Sequence, residues 1–128
     1  MERDFISFEL AKKLKEKGYP QHHSAFRSYF IGDDKPRIAE VGDVIYRTKI
    51  EGEEHLIACP TISQVLKWLR EEKKIYVSIM LFMFKEGWCY EIVQIWKNPK
   101  LITTQRNSCD TYEKAAIAGI EYVLNNLI

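Results

Sequence analysis

The cysteines are the first side chains in this sequence that could take part in a chemical reaction. Cys59, Cys89 and Cys109 lie 30 and 20 residues apart, and no two of them form a CxxC pair. Structural zinc sites and dithiol redox sites need closely spaced cysteines, so neither is indicated. A cysteine hydrolase needs a thiol of lowered pKa, whereas Cys89 lies early in an apolar segment and not at a helix amino terminus. Cys59 and Cys89 are expected to be buried, unreactive thiols.

Metal binding has two further candidates in the sequence, and both lack the necessary spacing. His22 and His23 are adjacent, and neighbouring side chains on an extended segment point to opposite sides, so the two rings cannot readily share one ion. Asp33, Asp34 and Asp43 lack the alternating carboxylates, the glycine and the closing glutamate of an EF-hand. The sequence therefore predicts no metal site and no cofactor.

Common motifs for catalysis and nucleotide binding are absent from the sequence. The sequence contains no GxGxxG, GxxxxGK[ST], HExxH or GxSxG segment. Catalysis needs a nucleophile or a base held beside an orienting partner, and no local arrangement of residues suggests such a pair. We therefore predict that the protein is not an enzyme, and no catalytic residue is assigned.

A central helix is the clearest structural element that the sequence predicts. Thr61 and Gln64 fit a capping box at its start, and Pro60 stands just before the cap, where its missing N–H does no harm. The apolar residues that follow have the i, i+3, i+4, i+7 spacing of one helical face. They are Ile62, Val65, Leu66 and Leu69.

A hairpin is predicted directly after the central helix. Its strands are Ile75–Phe84 and Trp88–Trp96, joined by Lys85-Glu86-Gly87. Both faces of these strands are largely apolar, whereas a sheet with one solvated face shows polar residues there. Either helices cover both faces or one face contacts another chain. The candidate interface residues are Trp88, Tyr90 and Trp96, because aromatic side chains dominate interface energetics. The alternative is that these rings pack beneath the helices.

The amino-terminal segment predicts a first helix with a charged outer side. Ser7 is the expected N-cap, Gly18 supplies a left-handed residue at the end, and Pro20 prevents continuation. Several lysines lie on the water-facing side of this helix, and they fit either a phosphate-binding face or the solvated side of an amphipathic helix. They are Lys12, Lys13, Lys15 and Lys17.

The last helix is predicted to begin at a capping box formed by Asp110 and Glu113. Small side chains on its apolar face allow close approach to a sheet. They belong to Ala115, Ala116 and Gly119.

The remaining segments are expected to form a second hairpin and a connection. Ser24–Ile31 is strand-like, residues 32–36 are turn-forming, and Val44–Ile50 is the predicted return strand. His55–Ala58 is expected to add a short extended piece. Lys100–Cys109 is polar and is predicted to be irregular.

The order helix, β-hairpin, helix, β-hairpin, helix predicts an α+β fold, in which a mainly antiparallel sheet has helices packed on it. We expect residues 1–128 to form a single α+β domain, long enough to bury a core. The amino terminus lacks the apolar region of a signal peptide, and the apolar run Ile79–Phe84 is too short to cross a bilayer. A cytoplasmic protein with reduced thiols and no membrane association is therefore expected.

Net charge bears on the partners that the protein could bind. Nineteen basic and eighteen acidic residues give a formal net charge of +1, which provides no long-range field for nucleic acid or an anionic membrane. The leading hypothesis is a small accessory or protein-interaction domain, either a homodimer or bound to another protein. The alternative is a nucleic-acid-binding module in which strand aromatics stack on bases and basic residues contact phosphates. Its parts would be Arg27, Tyr29, Phe30, Lys97, Lys100 and Arg106.

Three segments also resemble a family of short uncharacterised proteins found in gut bacteria and in their phages and mobile elements. These segments are FISFELAKKLKEKG, CPTISQVLKWLREEKKIYVSI and DTYEKAAIAGIEYVLNNLI, in this order along the chain. The resemblance implies an order of helix, two strands, helix, hairpin and helix. The family has no established activity, so the resemblance implies no catalytic or binding residues.

Overall fold

The computed structural model of the chain describes residues 5–21, 28–30, 37–39, 56–81, 87–96, 98–105 and 108–128. Within these residues the elements are α1 (Phe8–Glu16), β1 (Ser28–Phe30), β2 (Arg37–Ala39), β3 (Leu56–Ala58), α2 (Ile62–Glu72), β4 (Ile75–Leu81), β5 (Trp88–Gln94), β6 (Lys100–Thr104) and α3 (Tyr112–Asn126). The strands form two antiparallel sheets. The predicted α+β class is thereby confirmed.

The chain divides into two compact units. The amino-terminal unit is Phe5–Thr61, and the carboxy-terminal unit contains Ile62–Ile128. In the amino-terminal unit, Ser7 Oγ accepts a hydrogen bond from the backbone N–H of Leu10 at 3.3 Å, so Ser7 is the N-cap of α1 as predicted. Gly18 ends the helix with a φ of +90°, which a side chain would disfavour. Leu10, Ala11 and Leu14 form the buried stripe.

The amino-terminal sheet has the strand order β2-β1-β3. The predicted strand Ser24–Ile31 contains β1, and the expected extended piece before Cys59 contains β3. The predicted pairing of β1 with Val44–Ile50 was wrong, since β1 pairs with β2 on one side and β3 on the other. Residues 44–50 lie outside the described part of the chain.

The carboxy-terminal unit begins with α2, whose buried stripe differs from the predicted one. Ile62, Val65 and Leu69 are buried as expected. Trp68 is buried too, whereas Leu66 is only half-buried. The side of α2 that faces the core is therefore centred nearer to Trp68 than the apolar spacing alone predicted. A single residue with positive φ, Lys74 at +56°, turns the chain from α2 into β4.

The carboxy-terminal sheet has the strand order β4-β5-β6. The predicted hairpin is confirmed over Ile75–Leu81 and Trp88–Gln94, which pair in unbroken register. The prediction that Lys100–Cys109 is irregular was wrong for its first five residues, which form β6. Pairing of β5 with β6 is interrupted by an irregularity between Ile92 and Val93.

The N-cap of the last helix lies one residue later than predicted. Thr111 is the N-cap, and its Oγ1 accepts a hydrogen bond from the backbone N–H of Lys114 at 3.1 Å. Asp110, which was predicted to be the cap, instead forms an exposed ion pair with the Lys114 side chain at 3.2 Å. Both residues can cap a helix, so composition alone did not distinguish them.

Candidate interaction surface

The carboxy-terminal sheet has one face against the two helices of its own unit, and several side chains on its other face are exposed. Side chains alternate between the two faces along each strand. On the first face, a Cβ added to Gly119 of α3 would come 2.6 Å from Val77 Cγ1 and 3.3 Å from Tyr90 Cγ. Helix α3 therefore lies directly on β4 and β5, and α2 contacts both α3 and β4. We call this the covered face.

The opposite side of the sheet, which we call the open face, carries a row of apolar side chains across all three strands. Val93 of β5 is paired with Tyr76 of β4 on one side and with Leu101 of β6 on the other. Tyr76 is 42% exposed and Leu101 55% exposed, while Val93 is half-buried. Neighbouring exposed side chains of this kind form an apolar patch, and the largest such patch of a soluble protein is often functional.

Further exposed apolar side chains lie outside this row, after the end of β5 and at the end of β4, where Leu81 alternates with Val77 and so lies on the side of the covered face. Ile95 and Trp96 follow β5, and Trp96 is 55% exposed. Leu81, the last residue of β4, is 62% exposed. The sequence contained a signal for this surface, since both faces of the hairpin were apolar. It did not indicate Leu101, because that residue lies in a segment predicted to be irregular.

The three predicted interface residues do not form one surface. Tyr90 is only 8% exposed, because it lies beneath α3 with its ring 6.4 Å from that of Tyr122. Trp88 is half-buried and makes an edge-on contact with Tyr112, with ring centroids 5.5 Å apart. Of the three, Trp96 alone is largely exposed. The alternative in which the rings pack against helices therefore describes Trp88 and Tyr90.

Of the residues proposed for nucleic-acid binding, the structure describes the side chains of Tyr29 and Lys100. Tyr29 donates a hydrogen bond from its hydroxyl to the Ile6 carbonyl at 2.7 Å, and its ring packs edge-on against Phe8 at 5.4 Å. Its ring and hydroxyl are therefore engaged inside the amino-terminal unit. Lys100 is exposed on β6. The other parts lie outside the description, namely Arg27, Lys97, Arg106 and the side chain of Phe30.

The thiols have environments that bear on their reactivity. Burial raises the pKa of the Cys89 thiol, and the nearby Cys109 and Glu91 raise it further as negative charges. A raised pKa keeps Cys89 in the protonated form, which is a poor nucleophile. Cys59 is fully buried, and the partly exposed Cys109 has its sulfur 3.9 Å from Gln105 Oε1. Neither Cys59 nor Cys89 is placed where a substrate could reach it.

The described residues contain neither a cluster suited to a metal ion nor a helix suited to a membrane. There, no group of three or more His, Cys, Asp or Glu side chains is arranged to hold a metal ion. His22, His23 and His55 lie outside the described part of the chain. None of the helices in the ranges given above is both long enough and apolar enough to cross a membrane.

Comparison with known proteins adds no relatives to this description. No protein-family model, no curated protein and no solved structure matches the chain.

Proposed function

We propose that this chain is a small protein-interaction domain that self-associates through the sheet of its carboxy-terminal unit. The observation that carries the proposal is the distribution of exposed large apolar side chains. Within the described residues they all belong to the carboxy-terminal unit, and most lie on its sheet or directly after a strand. They are Tyr76, Leu81, Ile95, Trp96, Leu101 and Tyr112.

The size of this surface indicates how strong the association should be. Together these side chains, which lie on both sides of the sheet and on α3, expose on the order of a few hundred Å². A standard stable interface buries about 800 Å² on each partner. We therefore expect weak, reversible dimers that form at micromolar concentrations or above, and not an obligate dimer.

Sedimentation velocity over a wide range of protein concentration tests this proposal. The weight-average sedimentation coefficient should rise with concentration, and the rise should persist at high salt because apolar contacts are not screened. A species that stays monomeric throughout the range would contradict the proposal.

The alternative, a nucleic-acid-binding module, is tested in the same preparation. Single-stranded and duplex DNA and RNA are titrated at low salt, where phosphate contacts are strongest. Binding that weakens steeply as salt is added would favour the alternative over self-association.

We further propose that the protein acts in the cytoplasm as an accessory protein and has no enzymatic activity, since its sequence contains no HExxH or GxSxG motif. In the cytoplasm the partly exposed thiol of Cys109 is expected to be reduced. Thiol trapping in fractionated cells provides the test. An oxidised Cys109, or protein outside the cytoplasmic fraction, would contradict the location.

A further inference from the structure

Among the described residues, β4 is an edge strand of the carboxy-terminal sheet, and its register with β5 shows which of its backbone groups face outward. The backbone N–H of Ile95 donates to the Lys74 carbonyl at 3.0 Å, which makes these two residues a hydrogen-bonded pair. In an antiparallel ladder such pairs alternate with non-hydrogen-bonded ones. The even-numbered residues of β4 therefore bond to β5. The N–H and C=O groups of the odd-numbered residues point away from it, towards the free edge of β4. These residues are Ile75, Val77, Ile79 and Leu81.

The free edge of β4 lacks the features that usually prevent sheets from joining. Edge strands are commonly protected by charged residues, proline, bulges or short length. Strand β4 is seven residues long, Ile-Tyr-Val-Ser-Ile-Met-Leu, with neither charge nor proline and with unbroken pairing to β5. The opposite edge, β6, is shorter, begins with Lys100 and pairs irregularly with β5. The two edges of one sheet thus differ, and β4 is the one suited to pairing.

We infer that β4 pairs antiparallel with β4 of a second copy of this chain, which joins two three-stranded sheets into one of six strands. This inference rests on the proposed self-association and names its contact. The proposed partner is a second copy of β4, because in one antiparallel register every outward-facing residue of both strands is paired.

In this register a two-fold axis passes between Ser78 and the partner's Ser78. Val77 then exchanges backbone hydrogen bonds with the partner's Ile79, and Ile75 with the partner's Leu81. The exposed Leu81 side chain comes to lie beside the partner's Ile75, which covers part of its apolar surface. Ser78 bonds to β5, so the two Ser78 residues face each other as a non-hydrogen-bonded pair. Such pairs have the closest approach in an antiparallel ladder, with a Cα–Cα distance of about 4.5 Å.

Disulfide trapping at Ser78 tests the inference. The expected Cα–Cα distance lies at the lower end of the range that a disulfide spans, about 4.4–6.8 Å. Ser78→Cys is made in a Cys109→Ser background, and diamide oxidises the two facing thiols by accepting their two hydrogen atoms. We expect a covalent dimer on a non-reducing gel. Ser63→Cys in the same background is the matched control, since Ser63 is exposed on α2 and should give no such dimer.

A second variant separates edge pairing from contact through the open face. Thr104→Lys places a charge on the open face, at an exposed position of β6 on the far side of the sheet from the free edge of β4. Edge pairing predicts that this variant has an unchanged dimer dissociation constant in sedimentation velocity. A loss of dimer in Thr104→Lys would overturn the inference.

The outcomes distinguish this inference from the proposed function. If the wild-type protein dimerises but Ser78→Cys gives no more covalent dimer than Ser63→Cys, edge pairing is wrong and self-association stands. If the wild-type protein is monomeric at every concentration, both are wrong. Covalent dimer from Ser78→Cys alone, together with dimerisation of the wild type, supports both.

Discussion

Gly119 shows how a single residue sets the distance between a helix and a sheet. Because Gly119 has no side chain, α3 can approach Val77 and Tyr90 more closely than it could with any other residue at this position. Gly119→Ala should gain up to about 1 kcal/mol of helix propensity. It should nevertheless destabilise the fold by about 1–3 kcal/mol, because the new methyl group would overlap Val77. Urea unfolding of the variant measures the balance.

The double variant Gly119→Ala/Val77→Ala is the control for this prediction. Val77→Ala alone should be destabilising, because it leaves a cavity beneath α3. If overlap is the cause, Val77→Ala should cost less in the Gly119→Ala background than in the wild type. A Gly119→Ala variant more stable than wild type would show that α3 moves without penalty.

Tyr90 gives the stability of the protein a dependence on alkaline pH. Burial is the main cause that raises the pKa of its phenol, with the negative charges of Tyr122 and Cys109 adding to it. The folded protein therefore binds the proton more tightly than the unfolded chain. The resulting stabilisation is complete below the ordinary tyrosine pKa of about 10 and is lost as the pH rises through the raised value. We expect the free energy of unfolding to fall above about pH 10.

Tyr90→Phe separates this residue from the other groups that titrate at high pH. Burial also raises the pKa values of Tyr19 and Cys89, so some alkaline destabilisation should persist in the variant. The drop in unfolding free energy between neutral and alkaline pH should be smaller in Tyr90→Phe than in the wild type. Equal drops in the two proteins would assign the effect to the other groups.

Three substitutions in α2 test which side of this helix faces the core. Leu69 is fully buried, Leu66 is half-buried and Lys67 is exposed. Leu69→Ala should cost about 2–5 kcal/mol of stability because it leaves a cavity. Leu66→Ala removes the same atoms and should cost clearly less. Lys67→Ala should change stability by no more than about 0.5 kcal/mol. Denaturant melts give the order, and equal costs for the two leucines would mean that the helix is rotated.

The junction between α2 and β4 contains a backbone conformation that lysine disfavours. Lys74 has a φ of +56°, in the left-handed region where glycine has no steric penalty. Lys74→Gly should therefore be neutral or stabilise the fold by up to about 1 kcal/mol. Lys67→Gly, at an exposed position in the middle of α2, is the matched control and should destabilise by about 1 kcal/mol. Thermal unfolding of both variants distinguishes a positional effect from a general effect of glycine.

Elements defined by neighbouring residues were predictable from the sequence, and elements defined by distant partners were not. The cap at Ser7, the left-handed Gly18 and the close approach of Gly119 all follow from local residue types. Strand β6 did not, because a polar segment such as Lys-Leu-Ile-Thr-Thr becomes a strand through its pairing with β5. The exposure of the candidate interface residues was not predictable for a related reason. Apolar alternation showed that both faces of the hairpin are largely apolar, but it could not tell which face the helices cover.

For the whole molecule, the prediction of a single domain concerns whether the two units unfold together. The amino-terminal unit, in its described part, has one nine-residue helix and three strands of three residues. Isolated helices shorter than about 12–15 residues are marginal in water, and such strands are at the lower limit of length. If the chain is a single domain, as predicted, these short elements should unfold in the same transition as the carboxy-terminal unit.

Two spectroscopic signals measured on one urea titration test this expectation. Trp68, Trp88 and Trp96 all belong to the carboxy-terminal unit, so tryptophan fluorescence reports on that unit. Far-ultraviolet circular dichroism reports on helices in both units. A single domain should give coincident midpoints and equal slopes for the two signals, as two-state unfolding requires. A circular-dichroism transition that begins at lower urea than the fluorescence transition would show that α1 is lost first and that the chain has two folding units.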